Sequence, residues 1–274
     1  MASSRKFFPD GLNLAVLIVF SAVVAWIVAI PTDAAPFYYA GKYPLSPYGI
    51  PGFYSPIYIA WLFYPLSSLS QESACRIASF VAYIAYGIVF WFLTGRKLLN
   101  TVILLLSAFP FFSAYYGNLE WMPVIGVLVP DWIAIWLFAV KPQIGFVAIA
   151  LLIYWRMRDR GLLSAAILVA PLAAVLLLSV SLGWMHNTPL GSSWNISLWP
   201  IGIPVGLLLV AFAMKNKSRA LGLAAGPFLS PYVGPMSWVA IYPAIARNIW
   251  LCLAVNAISW IVVITWRLTL LQNS

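Results

Sequence analysis

Residues 12–39 read LNLAVLIVFSAVVAWIVAIPTDAAPFYY: an uninterrupted apolar stretch, then a proline, one acid and an aromatic run. As a helix, the stretch 12–30 would be about 28 Å long, which matches the hydrocarbon thickness of a membrane. Pro31 ends it, because proline cannot continue the helical hydrogen bonds. No small-x-small cleavage site precedes Pro31, so we expect a retained first membrane helix with Asp33 at the membrane edge beyond it.

The composition excludes a soluble domain. Of the 274 residues, 64% are hydrophobic and 8% are charged, and the mean hydropathy is +0.96. The apolar runs are continuous rather than alternating, which favours helices over a transmembrane barrel. We therefore predict an all-α, polytopic transmembrane helical bundle of about nine to eleven membrane segments. A cytoplasmic arm at 1–11 precedes a single transmembrane domain at 12–274.

Most basic residues fall in short clusters between the apolar runs. These clusters are Arg5-Lys6, Arg96-Lys97, Arg156/Arg158/Arg160 and Lys215/Lys217/Arg219. Membrane proteins retain Lys and Arg on the cytoplasmic side, so these clusters predict cytoplasmic loops of a plasma-membrane protein, and the net charge of +9 is not a nucleic-acid signal. The partner is then the lipid bilayer and not nucleic acid. Cys75 and Cys252 lack metal-ligand spacing and are interpreted as packing residues.

The apolar segments predict where the chain crosses the membrane. Residues 31–75 form the first external loop, in which 55–69 is too short for a span and predicts an interfacial or re-entrant helix. Full spans are predicted at 77–93, 98–114, 162–182, 199–214 and 249–266. The stretch 221–246 is expected to be broken by Pro227, Pro231 and Pro235.

Three further apolar pieces, 119–129, 132–140 and 144–155, are each about half as long as a span. Pro130 and the pair Lys141-Pro142 separate them. Non-helical backbone at membrane depth is tolerated where it faces protein or a wet cavity. We therefore expect broken half-helices here, with Lys141 toward the outer side as part of a cavity wall.

The acids can be sorted by position, because an ionisable group inside a membrane is costly and is usually functional or paired. Asp10 lies in the arm, and Asp159 lies among arginines. Glu72 precedes Arg76 by four residues, a favourable helical pair. Asp131 follows Pro130 and is expected to start a half-helix near the cytoplasmic edge, where it complements the positive helix end.

Asp33 and Glu120 remain, both expected on the outer side near aromatic residues. An outer site with one carboxylate, Lys141 and the single histidine, His186, suits chemistry on a phosphate-linked sugar. The carboxylate can take a proton from an acceptor hydroxyl, and the cations can hold a phosphate and stabilise the leaving group. Simpler interpretations stay open: Asp33 and Glu120 as interfacial residues, Lys141 snorkelling, and His186 solvated in its loop.

Five short motifs, in order over about residues 12–245, resemble those of family 87 glycosyltransferases, membrane enzymes of the GT-C class. They are Asp33 followed by Phe37-Tyr38-Tyr39-Ala40; Tyr54-Ser55-Pro56-Ile57-Tyr58 followed by Phe63-Tyr64-Pro65-Leu66; Tyr116-Gly117-Asn118; Lys141-Pro142-Gln143; and Leu229-Ser230-Pro231-Tyr232. The chain departs from the family in being shorter and in having Asn118 where the family tends to have glutamine.

The resemblance implies a GT-C-like fold and transfer of a sugar, typically mannose, from a polyprenyl-phosphate donor to an acceptor on the extracytoplasmic face. Asp33 would be the general base. Lys141 and His186 would hold the donor phosphate. The remaining expected substrate contacts are Tyr39, Asn118, Glu120 and Gln143. No metal or cofactor is expected beside the lipid-linked sugar, because there is no Asp-x-Asp pair to hold Mg²⁺.

Two alternatives come from other classes. The shortened scaffold also suits a non-catalytic accessory subunit of a larger membrane complex, which would purify with a stoichiometric partner. A transporter would need paired broken helices in the two halves of the chain. The chain has breaks at 130–142 and 227–235, but the sequence shows no symmetry between them.

Overall fold

The computed structural model describes residues 15–16, 19–21, 23–24, 26–27, 33–184 and 195–272, and every regular element within these ranges is helical. The all-α prediction is confirmed for this part of the chain. The predicted arm at 1–11, most of the predicted first span at 12–30, and His186 lie outside the described residues. The residues described between 15 and 27 are helical.

Three of the described helices are long and apolar enough to cross a membrane, or up to four if one bent pair counts as a span. They are Gln71–Leu93, Pro142–Ser181 and Ile249–Leu268, and the bent pair is Leu98–Leu105 with Ala108–Tyr115. These helices agree with a membrane protein. The larger number of nine to eleven segments stays a prediction.

Two short helices lie in the predicted external loop. α1 spans Ala35–Lys42, and α2 spans Ile57–Phe63 and continues into a 3-10 helix at Tyr64–Ser68. α2 lies where a short helix is predicted, whereas α1 is not predicted; Pro36 in its first turn favours helix initiation. Phe37 and Phe63 pack in an apolar cluster that also contains Cys75, so the loop is folded against the bundle.

α3 spans Gln71–Leu93, and its first turn is capped by the Ser70 hydroxyl, which accepts a hydrogen bond from the Ser73 amide. α4 at Leu98–Leu105 and α5 at Ala108–Tyr115 meet at 60°. The span predicted at 98–114 is therefore bent, and it counts as one crossing if both helices belong to the same span. Pro110 explains the bend, because its ring would clash with the carbonyl of Leu106 four residues earlier in a continuous helix.

α6 spans Trp121–Ile125, α7 spans Asp131–Ala139 and α8 spans Pro142–Ser181. α8 is interrupted at Gly161, whose φ of 83° suits a residue without a side chain. Leu168 beyond this turn packs in one cluster with Ile149 before it, so the two parts of α8 form a helical hairpin.

The prediction that 144–155 is a half-length piece is wrong. The first part of α8 runs from Pro142 to the turn at Gly161, about 28 Å, which is long enough to span. Proline is favoured in the first turn of a helix, and arginine is a good helix former. The basic residues 156–160 therefore extend the helix instead of ending it.

α9 spans Ile203–Asn216, α10 spans Arg219–Leu229, a 3-10 helix spans Pro235–Ile241, α11 spans Tyr242–Ile245 and α12 spans Ile249–Gln272. Pro227 lies inside α10, so the break expected there is wrong; the helix stops before Pro231. The chain then returns to the end of the bundle from which α10 started, because Asn100 Nδ2 donates to the carbonyl of Ala246 at 3.2 Å.

The charged residues divide between two ends of the bundle. We call the basic end the one that carries Arg96, Lys97, Arg156, Arg158, Arg160, Lys215, Lys217, Arg219 and Arg247. Asp131 starts α7 there, as predicted, and contacts both Arg156 and Arg219, while Lys217 pairs with Asp159 at 2.8 Å. The predicted pair of Glu72 with Arg76 is confirmed at the opposite end.

Two glycines let α8 lie close to its neighbours. A Cβ on Gly145 would meet the Phe138 carbonyl oxygen of α7 at 2.0 Å, and a Cβ on Gly226 of α10 would meet the Ile144 carbonyl oxygen at 2.1 Å. Both contacts are closer than any side chain allows. They hold α7, α8 and α10 together directly beside Lys141, which separates α7 from α8.

Candidate functional site

A buried carboxylate lies inside the bundle. Glu120 lies just before α6 and is 2% exposed. Its Oε1 atom lies 3.3 Å from the Nζ atom of Lys141, which has non-helical backbone angles between α7 and α8. The break in the helix therefore brings a cation to a buried acid, and the pair removes most of the cost of burying either charge alone.

Hydroxyl groups complete the surroundings of Glu120. Ser237, in the 3-10 helix after α10, donates to Oε1 at 3.2 Å, and Ser113 of α5 donates to Oε2 at 3.5 Å. The Ser113 hydroxyl also shares a hydrogen bond of 2.9 Å with the Tyr86 hydroxyl of α3. Segments that are far apart in the sequence thus converge on one carboxylate.

Asp33 lies next to this pair, immediately before α1. The Asn118 side-chain amide donates to Asp33 Oδ2 at 3.4 Å, and its carbonyl oxygen accepts from the Leu119 amide at 3.0 Å, which fixes the orientation of the amide group. Burial raises the pKa of Asp33 to about 6; the positive charge of Lys141 lowers the pKa, and the negative charge of Glu120 raises it. Asp33 is therefore electrostatically coupled to both members of the ion pair.

Tyr232 belongs to the same neighbourhood. Burial, with further contributions from Glu120, Tyr54 and Asp33, raises the pKa of Tyr232 to about 12. The phenol therefore stays neutral at physiological pH and can donate a hydrogen bond. This residue lies between α10 and the 3-10 helix that carries Ser237, so the break after α10 contributes two groups to the site.

The structure brings together four of the predicted site residues: Asp33, Asn118, Glu120 and Lys141. Tyr39 is 40% exposed, and its hydroxyl donates to Gln71 Oε1 at 2.8 Å. Gln71 starts α3, about 22 Å along that helix from Tyr86. Tyr39 is therefore held at the far end of α3 from the hydroxyl network.

Gln143 is half-buried in the first turn of α8, two residues beyond Lys141. No sequence signal singles out Tyr86, Ser113 or Ser237, because isolated serines and tyrosines are common in apolar runs and aromatic belts. Among the residues that the structure describes, no three His, Cys, Asp or Glu side chains group together as a metal site.

The chemistry available here follows from the charges. Two carboxylates face one ammonium group, so the three side chains carry an excess of one negative charge when both acids are ionised. Burial raises the pKa of Asp33 to about 6, so this carboxyl can take up a proton near neutral pH. The site therefore combines a proton acceptor, a cation and neutral hydrogen-bond donors inside an apolar bundle.

Comparisons of this chain with known protein families, with curated proteins and with solved structures give no match.

Proposed function

We propose that this protein is a membrane glycosyltransferase that transfers a sugar from a polyprenyl-phosphate donor to an acceptor hydroxyl. The observation that supports it best is the grouping of Asp33, Asn118 and the Glu120–Lys141 pair. This group places a base beside a cation within an apolar protein, and both are needed to move a sugar from a lipid phosphate.

Asp33 is the proposed general base. The acceptor oxygen attacks the anomeric carbon, the bond from that carbon to the phosphate oxygen breaks, and Asp33 takes the hydroxyl proton. Polyprenyl phosphate leaves with the electron pair. A pKa of about 6 suits this role, because a base is most effective when its pKa lies near the operating pH. Asn118 orients the accepting carboxylate by donating to Oδ2.

Lys141 is the proposed phosphate ligand. An ammonium group has three N–H donors, and the contact with Glu120 requires one of them. The other two can reach the donor phosphate, and Tyr232 and Asn118 add neutral donors that do not increase the negative charge. Glu120 then acts on the substrate through Lys141, and Gln143 is placed to contact the sugar from the same turn.

The basic end fixes the proposed orientation. Lys and Arg are retained on the cytoplasmic side, so the positions of Arg96, Arg158 and Lys215 support a proposed orientation with the basic end in the cytoplasm. α7 and α8 lead away from that end to Lys141. The donor then reaches Lys141 from the extracytoplasmic face of the plasma membrane.

The deciding experiment is Asp33→Asn in membranes supplied with labelled polyprenyl-phosphate mannose. General-base catalysis contributes about 100-fold or more, so we expect sugar transfer to fall by at least that factor. Glu72→Gln, which makes the same acid-to-amide change at an exposed pair, is the control and should leave transfer unchanged. Equal transfer by Asp33→Asn and the parent protein would remove Asp33 from the mechanism.

One observation favours a second candidate, a proton-coupled carrier. Two helix breaks meet at Glu120, since Lys141 lies between α7 and α8 and Ser237 lies beyond the break after α10. Transporters hold ions and substrates at such breaks. Faster loss of an imposed pH gradient in proteoliposomes of the parent protein than in those of Asp33→Asn, with no lipid-linked sugar present, would favour the carrier.

A further inference from the structure

The short helix α2 has two different faces. The face that contains Ile59 and Phe63 is buried against the rest of the protein. On the other face, Trp61 and Leu62 are 41% and 54% exposed, and Tyr64, which begins the 3-10 helix after α2, is 59% exposed. Contiguous exposed apolar side chains of this kind mark an interaction surface.

Trp61 connects this exposed face to the turn after α1. Its indole Nε1 donates to the carbonyl oxygen of Pro44 at 3.0 Å, so the flanking residues Tyr43 and Leu45 lie beside α2. These two side chains are 57% and 79% exposed. The sequence from 34 to 71 contains no acid, so no carboxylate has to be kept in water here. We call the following five residues the aromatic surface: Tyr43, Leu45, Trp61, Leu62 and Tyr64.

Two long helices fix the depth of α2 in the membrane. The Ile57 amide, at the start of α2, donates to Ser179 Oγ at 3.0 Å, two residues before α8 ends at Ser181. In the other direction, the 3-10 helix ends at Ser68, and α3 begins at Gln71. α3 and the second part of α8 are each about 30 Å long or more, enough to cross the hydrocarbon. α2 therefore lies at the level where both helices leave the hydrocarbon, opposite the basic end.

We propose that the aromatic surface lies in the lipid headgroup layer of the leaflet opposite the basic end, as an anchor for α2. Trp and Tyr are favoured at this level, because each combines an apolar ring with a polar tip. With its 3-10 extension α2 is about 20 Å long, which is too short to span. The sequence leaves an interfacial and a re-entrant helix open, and this geometry favours the interfacial one.

The bilayer fits this surface better than a water-soluble partner does. Exposed apolar side chains continue along the chain from Tyr64 through Leu69 to Ile77 of α3, a helix long enough to span, so the surface joins the lipid-facing part of the bundle. Lys42 is the one charged residue between 34 and 71, and its Nζ atom lies over the Tyr38 ring at 4.7 Å. A lysine at the headgroup level keeps its stem in apolar contact and its charge in water.

The anchor also restrains Asp33, because α1 and α2 pack as one unit. A Cβ on Gly41 of α1 would meet the carbonyl of Phe63 at 2.8 Å, so the two backbones are in direct contact. The rings of Phe37 and Phe63 lie 5.5 Å apart in the same apolar cluster. Asp33 lies just before α1, and lipid contact at α2 therefore holds this carboxyl group at a fixed depth. This inference does not depend on the proposed transferase activity.

Depth-dependent fluorescence quenching tests the proposal. Cys75 and Cys252 are buried, so Leu62→Cys can be labelled selectively with bimane in the full protein in phosphatidylcholine nanodiscs. A doxyl group near the lipid headgroup should quench this label about twofold more than one near the chain end, because interfacial helices insert only shallowly. Val81→Cys, exposed near the middle of α3, should show the reverse order. Aqueous iodide should quench Arg158→Cys, at the basic end, more than Leu62→Cys.

A second pair of variants tests whether the surface itself holds the segment in the lipid. With the label on Leu45→Cys, the added substitution Leu62→Glu should lower quenching by the doxyl group near the headgroup about twofold, because a carboxylate is costly to insert. Leu62→Met keeps an apolar side chain of similar size and should leave the quenching unchanged. Leu62 is more than half exposed, so neither substitution disturbs the packed core.

Three results at Leu62→Cys would overturn the proposal. Strong quenching by iodide with none by either lipid would mean that the surface faces water. The quenching order of Val81→Cys would mean that α2 is re-entrant. Protection from all quenchers would mean that protein covers the surface, a second copy of this chain included. The added substitution Asp33→Asn should leave every value unchanged, so failure of the proposed transferase activity leaves this test intact.

Discussion

Lys141 Nζ lies 3.3 Å from Glu120 Oε1; the Glu120 side chain is buried, at 2% exposure, and the Lys141 side chain is 17% exposed. The contact joins the break between α7 and α8 to the turn that precedes α6. A buried pair of this kind is held by mutual attraction and by hydrogen bonds from Ser113 and Ser237, so each partner depends on the other.

The first prediction concerns the mutual dependence of Glu120 and Lys141. Lys141→Met leaves Glu120 as an uncompensated buried charge and should lower the free energy of unfolding by about 3 kcal/mol or more. The double variant Lys141→Met with Glu120→Gln should lose less than Lys141→Met alone, because no buried charge remains. The free energy of unfolding of each variant, measured in detergent by heat or guanidinium, gives the interaction energy between Glu120 and Lys141.

The exposed pair of Glu72 with Arg76 provides the control for this comparison of single and double variants. Its side chains are 51% and 32% exposed, so Glu72→Gln should cost less than about 1 kcal/mol. If the double variant of the buried pair is as unstable as the sum of its single variants, Glu120 and Lys141 do not interact as the structure indicates.

The second prediction is a dependence of transfer on pH. A general base acts only when it is deprotonated, so the transfer rate should fall as the pH drops through about 6, the value to which burial raises the pKa of Asp33. Residual transfer by Asp33→Asn should lack this step. A rate measured between pH 5 and 8 that is flat for the parent protein would contradict the assignment of Asp33.

The third prediction uses the same carboxyl group without any activity assay. Asp33 has a folded-state pKa of about 6 against an ordinary 3.8, so the folded protein binds more protons than the unfolded chain between these values. The contribution of Asp33 to stability is therefore present at low pH and is lost as the pH rises through this window.

Asp33→Asn should consequently be more stable than the parent protein above about pH 6, by about 3 kcal/mol, and the difference should become small near pH 4. Glu72→Gln makes the same substitution on an exposed acid and should show no gain. A destabilised Asp33→Asn at pH 7 would mean that the carboxylate is stabilised rather than strained by its surroundings.

The fourth prediction concerns the helix contacts beside Lys141. Gly226→Ala would place a methyl group 2.1 Å from the Ile144 carbonyl oxygen and push α10 away from α8. Overpacking of this kind costs about 1–3 kcal/mol, which a melting curve in detergent would detect. Gly49→Ala meets no atom within 4 Å and serves as the matched control. Equal melting temperatures for the two variants would rule out the close approach.

Much of the site could be predicted from the sequence because charges are rare in this chain. With only six acids, each could be assigned by its neighbours, and Asp131 starts α7 as that reasoning predicts. Asp33 and Glu120 were selected in the same way, and the structure brings both into one group with Lys141; their position on the outer side stays a prediction. Lys141 was marked by the adjoining proline. Charged residues and prolines are local signals, and both can be interpreted from the sequence without knowledge of the tertiary structure.

Side-chain contacts between distant segments and the bends of helices were harder to predict, because they depend on which segments pack together. The sequence did not indicate that Lys141 pairs with Glu120, or that Ser237 completes the group, since these contacts join distant segments. Helix breaks were assigned to prolines one by one, although Pro227 is accommodated inside α10 and Pro110 bends a span that the sequence presents as continuous. Local propensity does not reveal when packing overrides it.

Ser237 follows Glu120 by 117 residues. When the ribosome has delivered α6 to the membrane, the chain that will complete the hydrogen bonding of that acid has not been synthesised. The nascent protein must therefore shield a half-satisfied charge until its last third inserts. The hydrogen bonding of Glu120 is therefore completed only after α10 has been synthesised.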